Sequence, residues 1–167
     1  MGPEVVVLIG LQACGKTTFH RARLAATHAH VSKDLMPRSA KRKEARLLRE
    51  LDAHLTAGRS VAVDNTQPSA GERAGVLRVA HEHGARVVGH WWPPDLPLSL
   101  ARNAVRAAPV PEVGLRAALA RWEEPRSAEG FDVLVRHGAH DLDDEAGAGP
   151  EAGPDQPEEP IRSCPSV

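Results

Sequence analysis

The stretch "VLIGLQACGKTTF", Val7 to Phe19, is apolar to Ile9, breaks at Gly10, and returns at Gly15 with Lys16, Thr17 and Thr18 behind it. The run "VVVLIG" (5–10) reads as a strand buried on both faces. Gly10, Leu11, Gln12, Ala13, Cys14, Gly15, Lys16 and Thr17 then match G-x-x-x-x-G-K-[ST] in full, between an expected strand and an expected helix, which is the context such a loop requires. A polyphosphate is best held by many backbone N–H groups pointing inward, and side chains would obstruct them. Gly10 and Gly15 are expected to supply conformational freedom, and Lys16 to reach the β- and γ-phosphates as a point charge. Thr17 is expected to place its hydroxyl on Mg²⁺, Thr18 beside it to bind the nucleotide, and the helix that follows the loop to direct its positive end at the phosphates. The Cys14 thiol has no role in this scheme beyond filling the loop.

Outward from this loop, apolar runs and helical patterns alternate. "HAHV" (28–31), "SVAVD" (60–64), "RVVGHWW" (86–92) and "FDVLVR" (131–136) are further strand candidates, about five with the first. Helical patterns cover 16–27, 39–58, 69–84, 96–108 and 110–124, and in the second Leu47, Leu48, Leu51 and Leu55 form one apolar stripe that stops at Gly58. Such β-α alternation predicts an α/β fold, a parallel sheet with helices on both faces, and puts ligands beyond the carboxyl ends of the strands.

With 167 residues, 41% apolar and 26% charged, one domain is expected, spanning 1–142. The formal charge of −1 hides an asymmetry: residues 143–167 carry seven acids and one arginine, leaving +5 on the body. That Pro/Gly-rich acidic tail has too little apolar surface to offset the entropy of ordering and is expected to be disordered. No run approaches a membrane span, and "MGPEVVVLIG" lacks the basic flank of a signal peptide, so a cytoplasmic protein with no membrane partner is expected. Cys14 and Cys164 suggest free thiols rather than a disulfide framework.

Two other strand ends bear polar residues suited to chemistry. In "VSKDLMPR", Asp34 would stand at the mouth of the cleft, where a carboxylate can take the proton of an attacking hydroxyl, and Arg38 is near enough to hold an acceptor phosphate. The other reading of Asp34 is a helix cap or turn. In "VDNTQP", Asp64 can approach the Mg²⁺ shell or the acceptor, or else form an Asx turn ahead of Pro68.

Together "GLQACGKTTF", "VSKD", "VDNTQP", "LARNAVR", "VPEVGLRAALARWEEP" and "EGFD" resemble the kinase domain of the polynucleotide 5′-hydroxyl kinase family, over nearly all of residues 4–137. The resemblance implies a P-loop kinase-like three-layer sandwich with a helical lid, ATP and Mg²⁺ as cofactors, and the 5′-OH end of DNA or RNA as acceptor. By the same resemblance Lys16 and Thr17 contact phosphate and Mg²⁺, Asp34 is the general base, and Arg38, Asp64, Asn65 and Thr66 line the acceptor site. Arg102 and Arg106, four apart on one helix face, resemble lid arginines that close over ATP, with Arg106 serving the transferring phosphoryl group. It implies kinase activity alone, since no residues remain for the phosphatase domain that larger members carry.

Other features are read as structural. The histidines of "HEH" (81–83) and "HGAHD" (137–141) are expected at the surface, one of Trp91 and Trp92 in the core and the other free to stack, and "KRKEARLLR" (41–49) on the outer side of the leucine-striped helix, where it could track a nucleic-acid backbone. Two rival functions stay open: a kinase for a small-molecule acceptor such as a nucleoside, sugar or antibiotic, and an ATP-binding interaction module without transfer.

Overall fold

The computed structural model describes residues 2–138, so the expected acidic tail, its boundary at 142 and Cys164 lie outside the described residues. Five strands, β1 (Glu4–Ile9), β2 (Ala29–Val31), β3 (Val61–Asp64), β4 (Arg86–Trp91) and β5 (Val133–Arg136), form one sheet in the order β2-β3-β1-β4-β5. Every pairing is parallel, with Val5 opposite both Val61 and Val87.

The unbroken apolar run of β1 has a direct structural cause. Val5, Val7 and Ile9 point into one core with Val61, Val63, Val87 and Trp91, while Val6 and Leu8 point into a second core with Ala62, Val88 and Trp92. Alternation of side chains along a strand thus supplies both faces of the sheet at once. The first core is covered by α2 (Lys43–Thr56), through Leu47, Leu51 and Leu55, and by α3 (Ala70–Glu82), through Val76, Leu77, Val79 and Ala80. The second is covered by Phe19 and Leu24. They come from α1 (Lys16–Phe19) and the wider π-helical turn His20–Leu24 that continues it. Two helical layers around one sheet result, as expected.

Helix boundaries follow local capping. Ser69 Oγ accepts from the Glu72 amide at the start of α3, and Asp95 Oδ1 accepts from the Leu98 amide at the start of α4 (Leu96–Ala104). The helix α5 (Glu112–Ala120) packs against α4. Three expectations need correction. α2 begins at Lys43 because Arg42 adopts the left-handed conformation, φ 52°, so Lys41 and Arg42 precede the helix and do not lie on its face. Trp91 and Trp92 are both buried, one in each core. His137 is half-buried and bonds His90 rather than standing at the surface. Among the described residues no helix is long and apolar enough to cross a membrane.

Candidate active site

The parallel sheet brings the ends of β1, β2 and β3 to one edge, and the glycine loop lies there. Ala13 and Gly15 take positive φ, 61° and 112°, and this local reversal turns successive amides toward a common concavity. Among the described residues the amides of Gln12, Ala13, Gly15, Lys16 and Thr17 are taken up by no carbonyl or side chain. Gly10 is needed for space: a Cβ there would lie 2.5 Å from Cys14 Sγ and 3.4 Å from Trp92 Cβ. Its φ is not positive, so the expectation of conformational freedom holds for Gly15 and not for Gly10.

Lys16 is buried, with Nζ donating to the Gly10 carbonyl at 2.9 Å and the Leu11 carbonyl at 2.7 Å and lying 3.7 Å from Cys14 Sγ. Its charge is held inside the loop by oxygens, ready to exchange them for stronger anionic ones. Thr17 Oγ1 donates to Asp64 Oδ2 at 2.7 Å, joining the foot of the loop to the end of β3 across 47 residues of sequence. Asp64 is buried, which by itself would raise its pKa. The outcome is a depressed pKa, because His30 at 3.4 Å, the Lys16 charge and the Thr17 hydroxyl together outweigh burial. Asp64 is therefore an ionised carboxylate beside a hydroxyl, a pair of hard oxygen donors of the kind Mg²⁺ takes.

His30 also stacks on buried His20, ring centroids 3.9 Å apart, and burial followed by the neighbouring His30 lowers the pKa of His20. Neither histidine stood out in the sequence, because their meeting depends on the turn His20–Leu24 packing beside β2 and not on spacing along the chain.

Asp34 lies in the short 3₁₀ turn Lys33–Leu35 just beyond β2, exposed, with no partner for its carboxylate among the described residues. Its amide donates to Ser32 Oγ, so Ser32 caps the turn and the Asp34 carboxylate is not consumed as a cap. Asn65 Oδ1 accepts from the Lys33 amide at 3.0 Å, and the Thr66 carbonyl accepts from the Gly10 amide at 3.1 Å. Both residues thus connect loops through these atoms. Arg102 lines a pocket of about 220 Å³ with Cys14, Trp92, Leu98, Arg136 and His137, next to the glycine loop. A larger recess of about 530 Å³ along the C-terminal half of α3 contains none of the expected site residues.

Arg38 and Arg106 are exposed, and among the described residues neither side chain bonds another site residue. The shared helix face expected for Arg102 and Arg106 does not exist, since α4 ends at Ala104. The cause is Asn103, whose carboxamide bonds both the carbonyl and the amide of Val110 and folds the chain into a loop through Pro109. Sequence reading also missed Arg73, fully buried, which pairs with Glu129 through two bonds of 2.7 and 2.8 Å and donates to the Gln67 carbonyl. Removing one partner of such a pair costs about 3–5 kcal/mol. In the sequence Arg73 is one more arginine in a helical pattern, and its partner is 56 residues away.

A central parallel strand, an amide-lined glycine loop and an acid from the neighbouring strand define a P-loop kinase-like α/β domain. The chain belongs to the family described as AAA domain, which its residues 5–125 match. Among solved structures it is similar to a gluconokinase from Sinorhizobium meliloti 1021, with 17% identity, TM-score 0.63, and coverage of 85% of this chain and 86% of that one. A fungal RNA kinase gives 17% identity and TM-score 0.63 over 81% of this chain and 38% of that one. The Mycobacterium tuberculosis APS kinase CysC, in complex with AMPPNP and APS, gives 18% identity and TM-score 0.57 over 87% and 94%. At these identities the likeness is one of fold.

Proposed function

We propose that this protein transfers the γ-phosphoryl group of ATP to a hydroxyl, with the 5′-OH end of a DNA or RNA strand as acceptor. The observation that supports it most is the 2.7 Å contact between Thr17 and ionised Asp64 at the foot of a loop with unengaged amides. The amides and Lys16 bind the phosphates. Thr17 and Asp64 would hold Mg²⁺, whose chemistry is to neutralise charge on the β- and γ-phosphate oxygens. Asp34, with its carboxylate exposed on the same edge of the sheet, accepts the proton of the acceptor hydroxyl. Arg102 at the adjoining pocket and Arg106 on the turn beyond α4 add positive charge around ATP, Arg106 toward the transferring group.

A strand end is favoured as acceptor by the charge that follows Asp34. Arg38, Lys41, Arg42, Lys43 and Arg46 come within twelve residues of it, all but Lys43 well exposed, with Glu44 as the acid among them. Such a segment can track a phosphate backbone. A small-molecule alcohol is the second reading, favoured by the match to nearly the full length of a gluconokinase chain.

Radiolabel transfer from ATP to 5′-OH DNA, 5′-OH RNA, nucleosides and sugars separates the two. Contacts to Z phosphates of a single strand give a log-log affinity slope of about −0.7Z against salt, so a slope of roughly −2 or steeper is expected. A flat slope with efficient transfer to a nucleoside or sugar would replace the first reading with the second.

A further inference from the structure

We infer that Asn65 is the positioning residue for Asp34, an inference that rests on the base role proposed above. Four consecutive residues at the end of β3 each bind a different part of the site. Asp64 takes the Thr17 hydroxyl, Asn65 Oδ1 takes the Lys33 amide, the Thr66 carbonyl takes the Gly10 amide, and the Gln67 carbonyl takes the Arg73 guanidinium. The tetrapeptide is itself constrained, with Gln67 buried at φ 45° and Arg73 locked by Glu129. It touches the glycine loop at both ends, at Gly10 and at Thr17.

The turn that carries Asp34 needs such an anchor. It follows a three-residue edge strand, and the Ser32 cap shapes the turn without locating it relative to the glycine loop. Met36 buries its side chain in the first core, and the Lys33 ammonium pairs with Glu44 of α2. Among the described residues, beyond the end of the β2–β3 ladder, the Asn65–Lys33 bond is the hydrogen bond that ties the Asp34 turn to the tetrapeptide gripping the glycine loop. Its sense is fixed by chemistry: a flipped carboxamide would set an NH₂ group against the Lys33 N–H. Asn65 Nδ2 is buried without a partner among the described residues, so the oxygen makes the side chain's one bond. Asn65 therefore sets the distance between the base and the phosphates through the backbone of Lys33. It touches no reacting atom.

The test compares Asn65→Leu, similar in shape but without an acceptor, with Asn65→Asp, which keeps one. Asn65→Leu should lower kcat by roughly 10- to 100-fold, the scale of a displacement near 1 Å at the reacting groups. The Kd for ATP should stay within about threefold, as the phosphate loop does not depend on this bond. Amide hydrogen exchange over 32–36 should quicken in Asn65→Leu and return toward wild type in Asn65→Asp. In an Asp34→Asn background Asn65→Leu should cost nothing further, because its effect passes through Asp34. Equal loss in both backgrounds, or unchanged exchange over 32–36, would overturn the inference. Exchange reads the tether without turnover, so failure of the base assignment, seen as full activity of Asp34→Asn, is distinguishable from failure of the tether.

Discussion

Gly10 shows how much a single position decides. Its neighbours leave no room for a methyl group, with Cys14 Sγ 2.5 Å from where a Cβ would stand. Gly10→Ala should destabilise the protein by about 1–3 kcal/mol in urea unfolding and weaken ATP binding, since the crowding displaces the loop. Cys14→Ala in the same chain should recover part of both losses, and recovery of neither would contradict the packing account. At this scale the glycine loop was legible because its eight residues act within one short segment. Asp64 was legible as a candidate, yet its partners come from two other segments, Lys16 and Thr17 from the glycine loop and His30 from β2, and the depressed pKa that makes it a standing anion follows from that meeting. Asn65, expected to line an acceptor site, accepts the Lys33 backbone amide through its oxygen, a contact between loops that no short pattern reveals.

The elements were legible wherever burial and local chemistry agree. All five strands stand within two residues or so of their expected spans, because each is short, apolar and bounded by breakers. The C-terminal limit of α4 was not, because Asn103 closes a loop onto Val110 that no helical periodicity reveals. The end of β4 is another such place. His90 meets His137 at 2.8 Å among Phe19 and Trp92, and burial, then the neighbouring His137, push its pKa down to about 4 from 6.5. A depressed histidine pKa means that the unfolded chain binds the proton more tightly. The stability is therefore fully present above pH 6.5 and is lost as pH falls from there toward 4. Urea unfolding at pH 7 and pH 4.5 should show a smaller drop for His90→Gln than for wild type, and equal drops would show that His90 does not carry the effect. Asp64, also depressed, holds its contribution until the pH passes below the usual carboxylate range.

At the scale of the molecule, a parallel sheet places three loops on one edge, and the tetrapeptide 64–67 binds them into a single frame around the glycine loop. Fold and glycine loop could be read from the chain because each rests on patterns a few residues long. The contacts of Asp34, Asp64, Asn65 and Thr66 depend on how separate loops meet, which no pattern a few residues long reveals. The most direct test is γ-phosphoryl transfer to a 5′-OH oligonucleotide by wild type and Asp34→Asn, with ATP affinity measured on both. Wild type should transfer the group, Asp34→Asn should fall by roughly 10²- to 10⁴-fold, and the two ATP affinities should agree within about threefold. Transfer by Asp34→Asn within a few-fold of wild type, at intact ATP affinity, would contradict the base role of Asp34.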